Sequence, residues 1–297
     1  MSQIIKVIGI QQTCSTEKAQ SFEITKTLIK QASKQSPDLI VLQELHATDY
    51  FCQTQEPNKF DLAEPLDGPT AQFLSAQAKN SNAVIVGSIF ERRAAGIYHN
   101  TALVFERDGS LAGFYRKMHI PDDPGFYEKY YFTPGDPDGF EPIQTSIGKL
   151  GVMVCWDQWY PEGARIMALK GAQILIYPTA IGWDDTDTPD EQTRQKDAWI
   201  GVQRGHSIAN NLPVVAINRV GHEPDPSNQS SGIKFWGHSF ITGPQGEFLD
   251  IAEHQETCLI QAEIDFNKTE KTRRIWPYFR DRRIDAYTGL QSRYIKD

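Results

Sequence analysis

The chain has 297 residues, 39% of them hydrophobic, and its 38 acidic against 30 basic side chains leave a net charge of −8. That charge argues against a nucleic-acid or anionic-membrane partner, and the length suits either one α/β domain or two. Four scattered cysteines, Cys14, Cys52, Cys155 and Cys258, form no C-x-x-C pair and have no histidine at ligand spacing, which disfavours a disulfide scaffold or a zinc site. Met1 to Thr13 mixes Lys6 and three glutamines into a strand-like run rather than a leader, and no apolar run nears the ~18 residues of a membrane span. A soluble, cytoplasmic protein is expected.

Ile4 to Thr13 reads as a buried strand, Phe22, Thr25, Leu28, Ile29 and Ala32 mark one face of a helix, and Leu39 to Leu42 is a second strand. Strand, helix, strand implies parallel pairing in a sheet with covered faces. A helix over about Thr70 to Lys79 leads to a strand over Val84 to Ile89 and repeats the unit. Thr101 to Phe105 and Leu111 to Tyr115 flank Asp108-Gly109, a hairpin dipeptide, so the sheet is mixed. Met118 to Gly139 is a long irregular stretch with four prolines, and a loop of that length in a compact protein is usually functional.

Leu150 to Val154 is an apolar strand that stops at Cys155, and Tyr160-Pro161-Glu162 opens a helix with Ala164, Met167 and Ala168 on one face. Ile174 to Tyr177 is a strand and Gly182 to Pro189 an acidic loop. Trp199, Val202, His206 and Ala209 form a helical stripe, Val214 to Asn218 is a strand, and Phe235 to Thr242 pairs with Phe248 to Ile251 around Pro244-Gln245-Gly246. No low-complexity linker or internal repeat interrupts the chain. The expected architecture is a single α/β domain of two mixed sheets in three or four layers, with an arginine- and aromatic-rich tail over 266–297 suited to a partner subunit.

Three polar residues end strands: Glu44, Lys117 and Cys155. Strand ends are where α/β sheets build sites. A thiol at a strand-to-helix elbow is either the small end of a core strand or a nucleophile whose neighbouring N–H groups hold an oxyanion. A carboxylate and an amine beside it would move protons and balance developing charge. Read alone, Glu44 also suits a cap and Lys117 a surface charge.

Gln43-Glu44, Tyr115-Arg116-Lys117-Met118-His119-Ile120 and Val154-Cys155-Trp156-Asp157 resemble, in order and spacing, the three signature segments of the nitrilase superfamily of carbon–nitrogen hydrolases. Asp49-Tyr50-Phe51-Cys52, Tyr127-Glu128-Lys129-Tyr130-Tyr131-Phe132, the run from Cys155 to Glu162, Tyr177 to Gly182 and Tyr278 to Arg283 are similar to its branch acting on N-carbamoylputrescine. The resemblance implies a four-layer αββα sandwich over residues 1–297, assembling as a homo-oligomer built from dimers. It implies Glu44 as general base and acid, Lys117 as oxyanion stabiliser, Cys155 as nucleophile, and Glu128 as a positioning glutamate, with no metal or organic cofactor. The expected reaction is hydrolysis of N-carbamoylputrescine, a small cationic N-carbamoyl amine, to putrescine, ammonia and carbon dioxide, as in polyamine biosynthesis.

For the distal ammonium the acidic loop offers Asp184, Asp185 and Asp187. Asp184 is the first choice and Glu128 the competitor, with Trp156 beside the nucleophile as support. A carboxylate-bearing substrate would need an arginine, and none follows Cys155 until Arg165. The alternatives are a β-ureidopropionase or ω-amidase of the same superfamily, a histidine-assisted thiol enzyme using His46, His119 or His206, and a silent binding protein on the same fold.

Overall fold

The computed structural model describes residues 4–184 and 186–295, so Asp185 of the acidic loop and the last two residues of the tail lie outside the described residues. The chain runs β1 (Ile4–Gln11), α1 (Lys18–Ser33), β2 (Leu39–Leu42), α2 (Pro69–Ser81), β3 (Val84–Ala94), β4 (Ile97–Phe105) and β5 (Leu111–Arg116). The middle third holds α3 (Glu128–Tyr131), β6 (Ile143–Thr145), β7 (Gly148–Val152), α4 (Pro161–Leu169) and β8 (Ile174–Pro178). Then come β9 (Gly182–Trp183), α5 (Pro189–Asn210), β10 (Val214–Ile217), β11 (Val220–Glu223), β12 (Ile233–Trp236), β13 (Phe240–Thr242), β14 (Phe248–Ile251), β15 (Cys258–Asp265) and α6 (Phe266–Ile275).

Two six-stranded mixed sheets result, ordered β15-β1-β2-β3-β4-β5 and β14-β13-β10-β8-β7-β6. In the first, β1, β2 and β3 pair in parallel as the βαβ repeats require; in the second, β7, β8 and β10 do the same. The period-2 alternation of β side chains assigns the layers. Val7, Leu39, Val41, Val86 and Val104 of the first sheet share a core with Leu150, Val152, Ile176 and Ala216 of the second. Ile8, Ile10, Ile40, Leu42, Ile85 and Leu103 instead pack with Ile29 and Ala32 of α1 and Ala71, Leu74 and Ala78 of α2. Ala164 and Met167 of α4 and Trp199 of α5 cover the second sheet. The order is helix, sheet, sheet, helix. Gly9 of β1 marks how closely the sheets approach, since a Cβ there would strike Ile217 of β10.

Several boundaries differ from those read in the sequence. Strand β3 continues to Ala94 and turns directly into β4, because Glu91 is buried and paired there rather than ending the strand. Phe235 to Thr242 is two strands, broken where Gly237 and His238 take φ of 59° and 50°. Strand β12 therefore leaves the second sheet and joins β11 and β9 in a small third one, which also claims Gly182 and Trp183 from the presumed acidic loop. The inner face of α5 is Trp199, Gln203, His206, Ser207 and Asn210, not Val202 and Ala209. Ser207 and His206 can be buried there because they are bonded: Ser207 donates to the Leu212 and Gly243 carbonyls, and His206 Nε2 lies 2.7 Å from the Gln158 carbonyl. Among the described residues no helix is long and apolar enough to cross a membrane.

Candidate active site

Glu44 follows β2 and Lys117 follows β5, both in the first sheet, whereas Cys155 lies three residues beyond β7 in the second. They meet because the two sheets face each other, and all three are buried. Lys117 Nζ donates to Glu44 Oε1 at 2.8 Å and to Glu128 Oε2 at 2.6 Å, with none of the three side chains exposed. Asn100 of β4 donates to the same Glu44 oxygen at 2.6 Å, and the Tyr50 hydroxyl donates to Glu128 Oε1 at 2.7 Å. Glu44 Oε2 is buried and has no hydrogen-bond partner among the described residues.

The elbow differs in detail from a strand running into an α-helix. Residues Cys155 to Trp159 form a 3₁₀ turn, and α4 begins only at Pro161. Cys155 has φ of 43°, a left-handed conformation that costs a non-glycine residue of order 1–3 kcal/mol. Asp157 holds it there. Its Oδ2 accepts the Val154 N–H at 3.0 Å and the Tyr115 hydroxyl at 2.8 Å, and its Oδ1 accepts the His119 N–H at 2.9 Å. One buried carboxylate thus ties the elbow of the second sheet to the end of β5, which carries Lys117. Sequence reasoning missed Asp157 as a structural part. An acid at the third position of a helical turn, reaching back to the N–H before it, is half of a capping box and was the available signal.

Burial pushes the Cys155 thiol well above its usual range; Glu44 and Glu128 raise it further, while Lys117 pulls it down. Burial opposes the charge on Lys117, but Glu128, Glu44 and Cys155 together hold its ammonium well above the ordinary lysine range. Glu128 is pushed up to about 7, first by burial and then by Glu44, with Lys117 opposing. The resting arrangement is a neutral thiol beside an ammonium that two carboxyl groups share.

A cleft of about 540 Å³ opens over Cys155 and Glu128. Trp156, Trp159, Phe126 and Trp236 contribute apolar wall, and Asp123, Asp184, Asp187 and Glu191 contribute acid. Asp184 is on the rim, exposed, with Oδ1 accepting the Thr186 N–H at 2.8 Å and hydroxyl at 2.6 Å, which holds its carboxyl below the usual range. Glu128, the rival for the ammonium, has both oxygens engaged already. Arg165 donates to the Ala209 carbonyl and does not line the cleft, whereas Arg194 of α5 does, in an ion pair with Glu191. The chain-order argument that no arginine serves the site therefore fails, because α5 folds back over it. None of the residues lining the cleft is a histidine. His119 is bound to Asp157 and stacked on Tyr160, His206 is held by Gln158, and His46 is buried.

Residues 5–274 match the carbon–nitrogen hydrolase family. The chain is 40% identical to the N-carbamoylputrescine amidase of Solanum lycopersicum over 97% of its own length and 95% of the relative's. It is also 40% identical to the citrullinase of Francisella tularensis, over 98% of this chain and 99% of that one. A crystal structure of a carbon–nitrogen hydrolase from Helicobacter pylori G27 superposes with a TM-score of 0.95 at 55% identity, covering 98% of this chain and 100% of that one.

Proposed function

The chain belongs to the carbon–nitrogen hydrolase family, and from that premise we propose that it hydrolyses N-carbamoylputrescine to putrescine, ammonia and carbon dioxide, with Glu44, Lys117 and Cys155 as the reacting groups. The observation that carries this reading is the division of Glu44: Oε1 is held by Lys117 and Asn100, while Oε2 is buried and free to take a proton. The Cys155 thiol passes its proton to Glu44 as sulfur attacks the ureido carbon. The oxyanion is held by Lys117 and by the Trp156 N–H, since the next N–H, that of Asp157, donates to the Val154 carbonyl at 3.1 Å. Glu44 returns the proton to whichever nitrogen leaves, then takes one from the water that cleaves the thioester-like intermediate. The carbamate released loses carbon dioxide and the second amine.

The acidic rim supports a cationic substrate, with Asp184 reading the distal ammonium beside Asp187 and Glu191. Asp184→Asn is expected to lower kcat/KM for N-carbamoylputrescine by about two- to fivefold, the worth of an exposed ion pair, and to spare neutral N-carbamoylbutylamine. A buried partner would have cost more, but Asp184 is exposed. A second reading rests on Arg194: with Glu191 it offers both charges that citrulline, a ureido amino acid, would need. Ammonia release from N-carbamoylputrescine, citrulline, N-carbamoyl-β-alanine and an ω-amide should rank the first highest. A preference for citrulline would install the second reading, and a preference for either of the last two would replace both.

The tail over 266–297 is the proposed subunit contact. Ile275, Leu290 and Tyr294 are 74%, 66% and 80% exposed, an apolar load that a second copy of the chain would cover. Truncation after Trp276 should turn a dimer or larger assembly into monomers in sedimentation velocity. An unchanged sedimentation coefficient per subunit count would place the contact elsewhere.

A further inference from the structure

Between β10 and β11 the second sheet sends one buried arginine across to the first. Arg219 Nη2 donates to the carbonyls of Glu44 at 3.1 Å and Leu45 at 2.9 Å, and Nη1 donates to the Thr48 carbonyl at 3.1 Å and to Glu223 Oε1 at 2.6 Å. Glu223 Oε2 in turn accepts the Tyr50 N–H at 2.5 Å. The Tyr50 hydroxyl ends this chain on Glu128. Arg219 is fully buried, and its guanidinium also lies over the Phe235 ring, 5.3 Å from the centroid.

We propose that the Arg219–Glu223 pair is the positioning element of the site, a strut that sets the separation of the two carboxyl groups flanking Lys117. It acts on Glu44 through the backbone carbonyl and on Glu128 through Tyr50. The turn it braces is a strained one: Leu45, directly after Glu44, has φ of 48°, a conformation that bonds from outside the segment help to hold. The guanidinium supplies three to the turn at once and a fourth to Glu223, in the fixed fork that a lysine ammonium lacks. Where Asp157 ties the elbow to β5, Arg219 ties the base to β10. The three reacting groups are therefore fixed from both sheets, and the inter-sheet distance becomes the distance between them.

The pair is electrically balanced, and that balance has a consequence at Glu44. The ionisable groups around Glu44 are Lys117, Glu128, Cys155, Tyr50, Cys52 and Arg219, and those around Arg219 are Glu223, Cys14, Cys52, His46 and Glu44. Removing the charge of Glu223 alone leaves Arg219 a buried cation without its counter-ion, so the guanidinium is no longer held firmly between Glu223 and the Glu44 and Leu45 carbonyls.

The inference rests on Glu44 being the proton acceptor, so the test is run on purified, full-length protein with its preferred substrate. Glu223→Gln, close to isosteric, should lower kcat by about 10- to 100-fold with KM within threefold. Tyr50→Phe should lower kcat through Glu128, and the double variant should be much less impaired than the product of the two single losses, because both cut one chain. Arg219→Lys is the harsher probe. Should it fail to fold, the two milder variants decide the matter. Folded Glu223→Gln protein with kcat within threefold of wild type, or single losses that simply multiply in the double variant, overturns the proposal and leaves Arg219 a purely structural residue. A wild-type enzyme inactive on every ureido and amide substrate would instead sink the reaction assignment.

Discussion

Cys155→Ala is expected to keep the fold and to lower turnover by at least about 10⁴-fold, because the proposed nucleophile and its partners would act as one unit. Cys155 is only 4% exposed and surrounded by core, and alanine removes one sulfur from a site that otherwise holds its shape through Asp157. Thermal midpoint should therefore change little, since alanine keeps the Cβ that meets the left-handed penalty at φ of 43°. Cys155→Ser is expected to be nearly as inactive, since the buried thiol is already pushed above its usual range and an alkoxide is harder still to form in the same surroundings. Ammonia release under saturating substrate measures both. Mass spectrometry of protein quenched during turnover should find the acyl adduct on the Cys155 peptide of wild type alone. Turnover by Cys155→Ala near the wild-type rate would end the covalent mechanism.

Lys117→Met is expected to be the most destabilising single change at the site as well as an inactivating one. It leaves Glu44 and Glu128 buried without their cation, and breaking a buried pair from one side costs about 3–5 kcal/mol. The pH dependence has a definite sign. Glu128 is pushed up to about 7 with the lysine present, above its unfolded value, and loss of the ammonium that opposes that rise takes it higher. A carboxyl group whose folded pKa is raised contributes stability below its unfolded pKa and loses it as pH climbs through the folded one. The deficit of Lys117→Met against wild type should thus be small near pH 5 and large near pH 8, read as urea midpoints at the two values. A deficit independent of pH would mean that the two carboxyl groups do not feel the ammonium as their geometry implies. Activity should fall at both values, because an uncharged methionine offers the developing oxyanion no donor.

The legible part of the site was its punctuation. Glu44, Lys117 and Cys155 each follow an apolar run, and a strand that ends in an ionisable residue declares itself without tertiary information. Glu128 was legible only by resemblance, since beside Lys129 in a proline-rich stretch it looks like a solvated loop charge, yet it is fully buried. Asp157 was overlooked although its capping position was readable, whereas Asn100, Arg219 and Glu223 could not be singled out. Asn100 is one polar residue within β4, and Arg219 stands alone between two strands, so nothing local says that either has a buried partner. Arg194 was misjudged for a related reason: distance along the chain was used where distance through space decides.

By itself the sequence determined the mixed sheets and the reacting types and left the layers at three or four, because apolar periodicity obliges each strand and helix to bury a particular face, and the two βαβ repeats oblige parallel pairing. It equally determined which three strand ends carry a carboxylate, an amine and a thiol. What only the tertiary structure decided was how these meet: two sheets packed face to face bring the ends of β2 and β5 against that of β7, and ties through Asp157 and Arg219 hold them there. The physical reason is range. Periodicity, capping and turn chemistry act over a few residues, whereas an ion pair such as Lys117 with Glu44, 73 residues apart in the chain, exists only after the sheets have packed and water has been removed.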